Sequence, residues 1–312
     1  MKPINWKRMN KESIKDSFTL YLKSRAFTKS SIKSRLVVLN IYWKWLEAER
    51  LEAEQVTYNE LLSFMKWCKN KGASQRTVQT YMGTIKHLYE HFIREERTDK
   101  NPATDITIRG VKRKTLYQIL EPQELNALYN NYPANSPQQR RNRVILGLLV
   151  YQGLKTAELG KLETTDINLR EGKINVPGSS KSNGREMTLE AHQIMDMYDY
   201  TLQVRQLLMQ MKPKRKSQTK EETAKLFIGE GGSCYSISNF MTQLMVNVRK
   251  INPTVKNAKQ IRTSVITKWL KMYNLREVQH LAGHRYISST ESYLHNNMEG
   301  LQEEVQQFHP LG

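Results

Sequence analysis

Residues 277–296, EVQHLAGHRYISSTESYLHN, hold the pattern on which the fold turns. A short helical run ends in Ala282-Gly283-His284, and a turn of that kind sets an imidazole at one point of the backbone. A small polar segment follows, and Tyr293 stands nine positions after His284, inside a second short helical run. Neither residue is informative alone. Together, near the end of a very basic chain, they raise the question of what an imidazole and a phenol at that separation are arranged to meet.

Composition narrows the answer. The 312 residues carry 49 Lys and Arg against 30 Asp and Glu, a formal net charge of +19, which points to a polyanionic partner and most often to nucleic acid. A membrane surface is the rival. The longest apolar run, Val144 to Tyr151, falls well short of the roughly 20 residues needed to span a bilayer. The basic start, MKPINWKRMNKES, lacks the apolar core and small-residue site of a signal peptide, so a cytoplasmic, nucleoid-associated protein is expected. Cys68 and Cys234 have no metal-ligand spacing and read as packing residues of a reducing compartment. His87 and His91 stand four apart on a helical stretch, but without a third ligand they read as a solvated or phosphate-facing pair rather than a metal site.

Working back along the chain, residues 10 to about 98 read as four helices with short joints. Thr57-Tyr58-Asn59-Glu60 is a capping box, and Ser74 caps a helix whose Val78, Tyr81, Ile85, Leu88, Tyr89 and Phe92 recur at three and four. Its other face carries Arg76, Lys86, His87 and Arg94, and the helix near residue 30 carries Lys29, Lys33 and Arg35. These are candidate phosphate contacts; for each, a solvated surface is the alternative. The expected organisation is a helical block over 1–107, a basic linker over 108–120 and a second domain over 121–312. Lys112, Arg113 and Lys114 in the linker suit a segment lying along a duplex.

In the second domain Ser136-Pro137 opens a buried apolar helix, and Thr156 is expected to cap the short AELGKL helix. Three strand signals follow, DINL, KINVPG and REMTLE, with Ser182-Asn183-Gly184 expected as the turn between the last two. Helices then return over 191–211, 236–251 and 258–273, and in two short runs near 276–281 and 288–295.

This order of elements and motifs resembles the tyrosine recombinases. In that family a Leu-Gly-His turn precedes a tyrosine by nine residues; here stand Ala282-Gly283-His284 and Tyr293. The usual His-x-x-Arg is Lys259-Gln260-Ile261-Arg262, and the usual Gly-Leu-Arg-x-x-Glu-Leu is Gly153-Leu154-Lys155-Thr156-Ala157-Glu158-Leu159. Lys181 falls on the strand hairpin, 26 residues after Lys155. The resemblance implies a mainly α (α+β) fold: a helical core-binding domain and a mixed catalytic domain with a small antiparallel three-stranded sheet. It also implies an activity, site-specific cutting and rejoining of double-stranded DNA through a 3′-phosphotyrosine, with no metal or nucleotide cofactor. Tyr293 is then the nucleophile, Arg262 a phosphate clamp, and His284 a proton handler or phosphate donor. Lys259 is a further cation, and Lys181 the candidate general acid. Family hairpins place that lysine two before an arginine, and position 183 is Asn, so a solvated turn lysine is the alternative for Lys181.

The chemistry suits these residue types. A phenol, with a reference pKa of about 10, attacks a phosphodiester only where cations favour its anion. Arginine offers a planar fork to phosphoryl oxygens, and preorganised donors of this kind supply on the order of 3 kcal/mol each. The departing 5′ oxygen needs a proton, which a lysine can give. Against this, Lys155 stands where the family has its first arginine and loses the fork while keeping the charge. Three outcomes are open: an enzyme adapted to lysine, a slowed enzyme, or a DNA-binding protein that no longer cuts.

The family works as homo-tetramers on two DNA sites, from monomers or weak oligomers in solution, often by exchanging a C-terminal helix. Met298, Leu301, Val305 and Phe308 give the tail a matching apolar spacing; packing on its own domain is the alternative.

Overall fold

The computed structural model describes residues 11–110, 117–180, 182–211, 224–233 and 237–294. The chain divides into two compact units, Met1–Lys114 and Thr115–Gly312.

The first unit is built on α1 (Lys11–Ser24), α2 (Lys29–Glu49), α3 (Tyr58–Asn70) and α4 (Gln75–Arg94). Local chemistry sets the boundaries. Thr28, Thr57 and Ser74 accept backbone N–H groups that the first turns of α2, α3 and α4 leave unpaired, and Glu60 returns a bond to the Thr57 N–H at 2.6 Å. The apolar stripe of α4 is buried as its spacing predicts, with Tyr81 at its half-exposed edge. The core is rich in rings: Phe18, Tyr42, Trp45, Phe64, Tyr89 and Phe92 are almost fully buried. The Tyr42 and Tyr89 hydroxyls meet at 2.7 Å and Tyr89 donates on to the Ala53 carbonyl, so these rings bury their polar tips with partners.

The second unit starts with α5 (Pro122–Asn130), α6 (Pro137–Val150) and α7 (Thr156–Leu159). The expected apolar helix begins at Pro137 and buries Arg141 and Asn142 as well as its aliphatic residues. The Arg141 guanidinium donates to the Ile228 carbonyl and to Asn142 Oδ1 and lies 3.8 Å from the Phe240 ring, and burial lowers its pKa to about 10.

Three short antiparallel strands follow in the order β1 (Ile167–Asn168), β2 (Lys173–Val176) and β3 (Arg185–Thr188). Val176 faces Arg185 and Ile174 faces Met187, so the two-residue period buries Arg185 beside Met187. The turn differs from expectation. Ser179 and Ser182 exchange backbone bonds at 2.7 and 3.3 Å, so the chain reverses between them rather than at Ser182–Gly184. The reason is competition: the Asn183 N–H is taken by the Gly283 carbonyl, and Ser182 bridges to His284.

The expected single helix over 191–211 is α8 (Ala191–Asp199), a π-helical turn at Tyr200–Val204, and α9 (Arg205–Gln210). Tyr200 is fully buried there and donates to the Leu226 carbonyl. The unit closes with α10 (Ile237–Ile251), α11 (Ala258–Met272), α12 (Leu275–Leu281) and α13, residues 287–294. Its core joins α6, the sheet, α10 and α11 through Ile145, Leu149, Ile174, Leu244, Val265 and Ile266. Among the described residues no helix is long and apolar enough to cross a membrane.

Candidate active site

Four segments converge on the guanidinium of Arg262. Buried polar and apolar neighbours fix α11, and Arg262 on it is 5% exposed. One nitrogen donates to the Gly153 carbonyl at the start of the α7 turn. The other donates to the Ala282 carbonyl at 2.7 Å and to His284 Nε2 at 3.2 Å. Gly153 has φ +56, and a Cβ there would meet Val265 at 3.2 Å, so glycine lets the turn lie close enough for its carbonyl to reach Arg262.

These bonds also assign the His284 proton. A guanidinium only donates, so Nε2 accepts and the proton sits on Nδ1, which faces Thr290 Oγ1 at 2.9 Å. Burial, with Arg262, Lys155 and Arg185 nearby, lowers the His284 pKa to about 3, so the ring is neutral. Thr290 lies on α13, and three residues on the Tyr293 ring stacks against His284, centroids 5.7 Å apart and planes 18° apart. The Arg262 guanidinium lies close enough to Tyr293 to act on it electrostatically.

Lys155 occupies the N-cap of α7; Thr156, expected as the cap, is its first helical residue. The helix begins one position early because the Glu158 carboxylate takes the Lys155 N–H at 2.8 Å. Burial, then Arg262, lowers the pKa of the Lys155 amine, with Arg185 adding to the effect and Glu158 opposing it.

The structure thus brings Lys155, Arg262, His284 and Tyr293 together. Lys259, one turn before Arg262, is exposed, and its amine lies 6.0 Å from the Tyr117 ring centroid. It lines a cleft of about 560 Å³ with Thr156, Met245 and Arg249. Lys181, Lys112, Arg113 and Lys114 lie outside the described residues, as does the tail from 295 onward. In the first unit Lys29, Lys33, Arg76 and Lys86 are exposed. Arg35 and His87 are half-buried: Arg35 lies 4.4 Å from the Phe27 ring, and His87 bonds Glu90 at 2.9 Å. His91 turns instead to Ser17 and Glu95.

One residue at this site belongs to none of the motifs. Arg185 is wholly buried and grips both oxygens of Glu158 at 3.1 Å each. Its signal was the strand period, which aligned an arginine with Met187 on the inner face.

Residues 118–300 match the model of the Phage integrase family, and residues 18–108 that of the Phage integrase SAM-like domain. The chain belongs to the phage integrase family. Tyrosine recombinase XerC of Bacillus pumilus is 24% identical over 309 residues, 96% of this chain and 97% of that protein. Among solved structures, the Tn1549 transposon integrase in complex with circular intermediate DNA superposes with a TM-score of 0.66 at 16% identity, covering 90% of this chain and 94% of that one. A lambda integrase tetramer bound to a Holliday junction gives 0.62 at 13% identity, covering 92% and 78%. The integrase fold, mostly helical with a small three-stranded antiparallel sheet, is the one expected from the sequence.

Proposed function

We propose that Tyr293 is the nucleophile with which this chain cuts and rejoins DNA. The chain is a tyrosine-type site-specific DNA recombinase of the integrase family. In the step proposed, the Tyr293 oxygen bonds to the scissile phosphorus as the bond to the 5′ oxygen breaks. The phenol gives up its proton, the leaving oxygen gains one, and a 3′-phosphotyrosine links protein and strand. Attack by a 5′ hydroxyl from the partner duplex reverses the step and joins the new strand.

Arg262 holds phosphoryl oxygens, and Lys155 adds charge beside it in place of a second fork. The neutral His284, with Nε2 turned to Arg262, takes or shares a proton once phosphate displaces that contact. Lys181 is the candidate acid for the leaving oxygen, and Lys259 a more distant cation toward the duplex. The observation that supports this assignment best is that the imidazole bonded to the Arg262 guanidinium is the one on which the Tyr293 ring stacks. A DNA-binding protein freed of cutting has no chemical use for that cluster.

Residues 1–107 and 121–312 would each contact double-stranded DNA, with Lys29, Lys33, Arg76 and Lys86 against phosphates. Such contacts make binding strongly salt-dependent. Four copies would assemble on two sites at the nucleoid, exchanging the tail that carries Met298, Leu301, Val305 and Phe308.

The test uses two labelled duplexes carrying a site selected from a random library by binding. Wild-type protein is expected to join them, and Tyr293→Phe to bind equally and join nothing. Joining by Tyr293→Phe, or binding by wild type with no covalent product, overturns the proposal.

A further inference from the structure

We propose that Arg185 is a positioning residue: by occupying both oxygens of Glu158, it keeps that carboxylate from capturing the Lys155 ammonium, which is left to face the scissile phosphate. This rests on the recombinase reading above, and it concerns the position where the family's arginine is replaced.

Lysine and glutamate three apart on a helix ordinarily pair. Here they form only a long ion pair with no hydrogen bond. Lys155 Nζ stops 3.8 Å from Glu158 Oε1, beyond hydrogen-bond range, although the buried carboxylate would attract any free cation. The carboxylate is already engaged. Arg185 takes one bond on each oxygen, and Oε2 also accepts the Lys155 backbone N–H. A carboxylate has about four acceptor sites, so three of them are in use.

Arg185 is held there from three sides. Its backbone is paired with Val176 across the hairpin. Its side chain has no exposed surface. The Gly283 turn lies directly over the guanidinium, where a Cβ on residue 283 would collide with Nη1. The hairpin is laced to that turn through the Asn183 N–H and the Ser182–His284 bridge. A fork clamped in this way outcompetes a single ammonium for the same carboxylate. Without it, the nearest cation able to fill the place is Lys155.

Two measurements on the full-length protein test this. The first is acetylation of the Lys155 amine by a small acylating reagent, read by mass spectrometry. Arg185→Met should slow labelling at Lys155 severalfold, and Arg185→Met with Glu158→Gln should restore it; an unchanged rate in Arg185→Met overturns the proposal. The second is the rate of covalent adduct formation on a nicked duplex. Lys155→Met and Arg185→Met should each lower it by on the order of a hundredfold, and the pair together by no more than either alone. Losses that multiply would mean that Arg185 only supports the fold, and would overturn the proposal. Thermal unfolding of each variant separates folding from positioning, with Arg185→Met/Glu158→Gln as the variant that leaves no buried charge unpaired. If wild-type protein forms no adduct, the recombinase reading fails, while the labelling still decides the role of Arg185.

Discussion

The unit built on α1–α4 buries rings, and the unit built on α5–α13 buries cations. In the first, aromatic side chains fill the core and Lys29, Lys33, Arg76 and Lys86 stay in solvent; where a guanidinium is buried, that of Arg97, it meets Glu54 at 2.6 Å. In the second, Arg141, Arg185 and Arg262 are each 5% exposed or less, and only Arg185 among them has a carboxylate in hydrogen-bond contact among the described residues. Burying a charge that only neutral groups satisfy is costly. On the proposed reading the first unit has no reason to bear that cost, since it would offer only a surface for phosphates. The second gains a preorganised positive site, which is the requirement of phosphoryl transfer.

Breaking that contrast should have its largest effect at Arg262. Arg262→Ala is expected to lower adduct formation by on the order of a hundredfold or more, and to lower the unfolding midpoint of the second unit while sparing the first. Single-turnover cleavage and calorimetry check both. A change confined to stability would make Arg262 a structural residue only.

Gly283→Ala comes next. With φ at +60 and the Arg185 guanidinium in the place of a side chain, the left-handed backbone alone costs about 1 to 3 kcal/mol. Thermal unfolding should show the loss in the second unit.

A third effect depends on pH. His284 is held neutral, its pKa lowered from 6.5 to about 3. Below pH 6.5 the unfolded chain binds a proton that the folded ring refuses. The stability gained by neutral His284 is therefore complete above 6.5 and is lost as pH falls toward 3. Urea unfolding at pH 7 and pH 5 should show a smaller difference in His284→Gln than in wild type.

The smallest effect belongs to the first unit. Ser74→Ala removes the cap of α4 and should cost about 1 kcal/mol, with adduct formation on a bound duplex unchanged.

How much of this was legible differs between the units in the same sense. Caps and three-four spacing are local, so α1–α4 could be read from Thr57, Ser74 and the stripe of α4. The Ala-Gly-His turn and Tyr293 were legible because they are nine residues apart. The Arg185–Glu158 grip spans 27 residues and depends on strand register, and the reversal at Ser179–Ser182 depends on Gly283, a hundred positions on. Lys259 was placed by its motif beside Arg262, but one helical turn carries its amine to Tyr117. Local chemistry shows in sequence; what a distant turn takes for itself does not.

The most direct measurement is the identity of the residue that carries DNA. Adduct trapped on a nicked duplex, trimmed by nuclease and digested with trypsin, should yield a nucleotide-bearing peptide modified at Tyr293 through a 3′ phosphate. A modified peptide centred on another residue, such as the exposed Tyr286, or a 5′ linkage, would contradict the account.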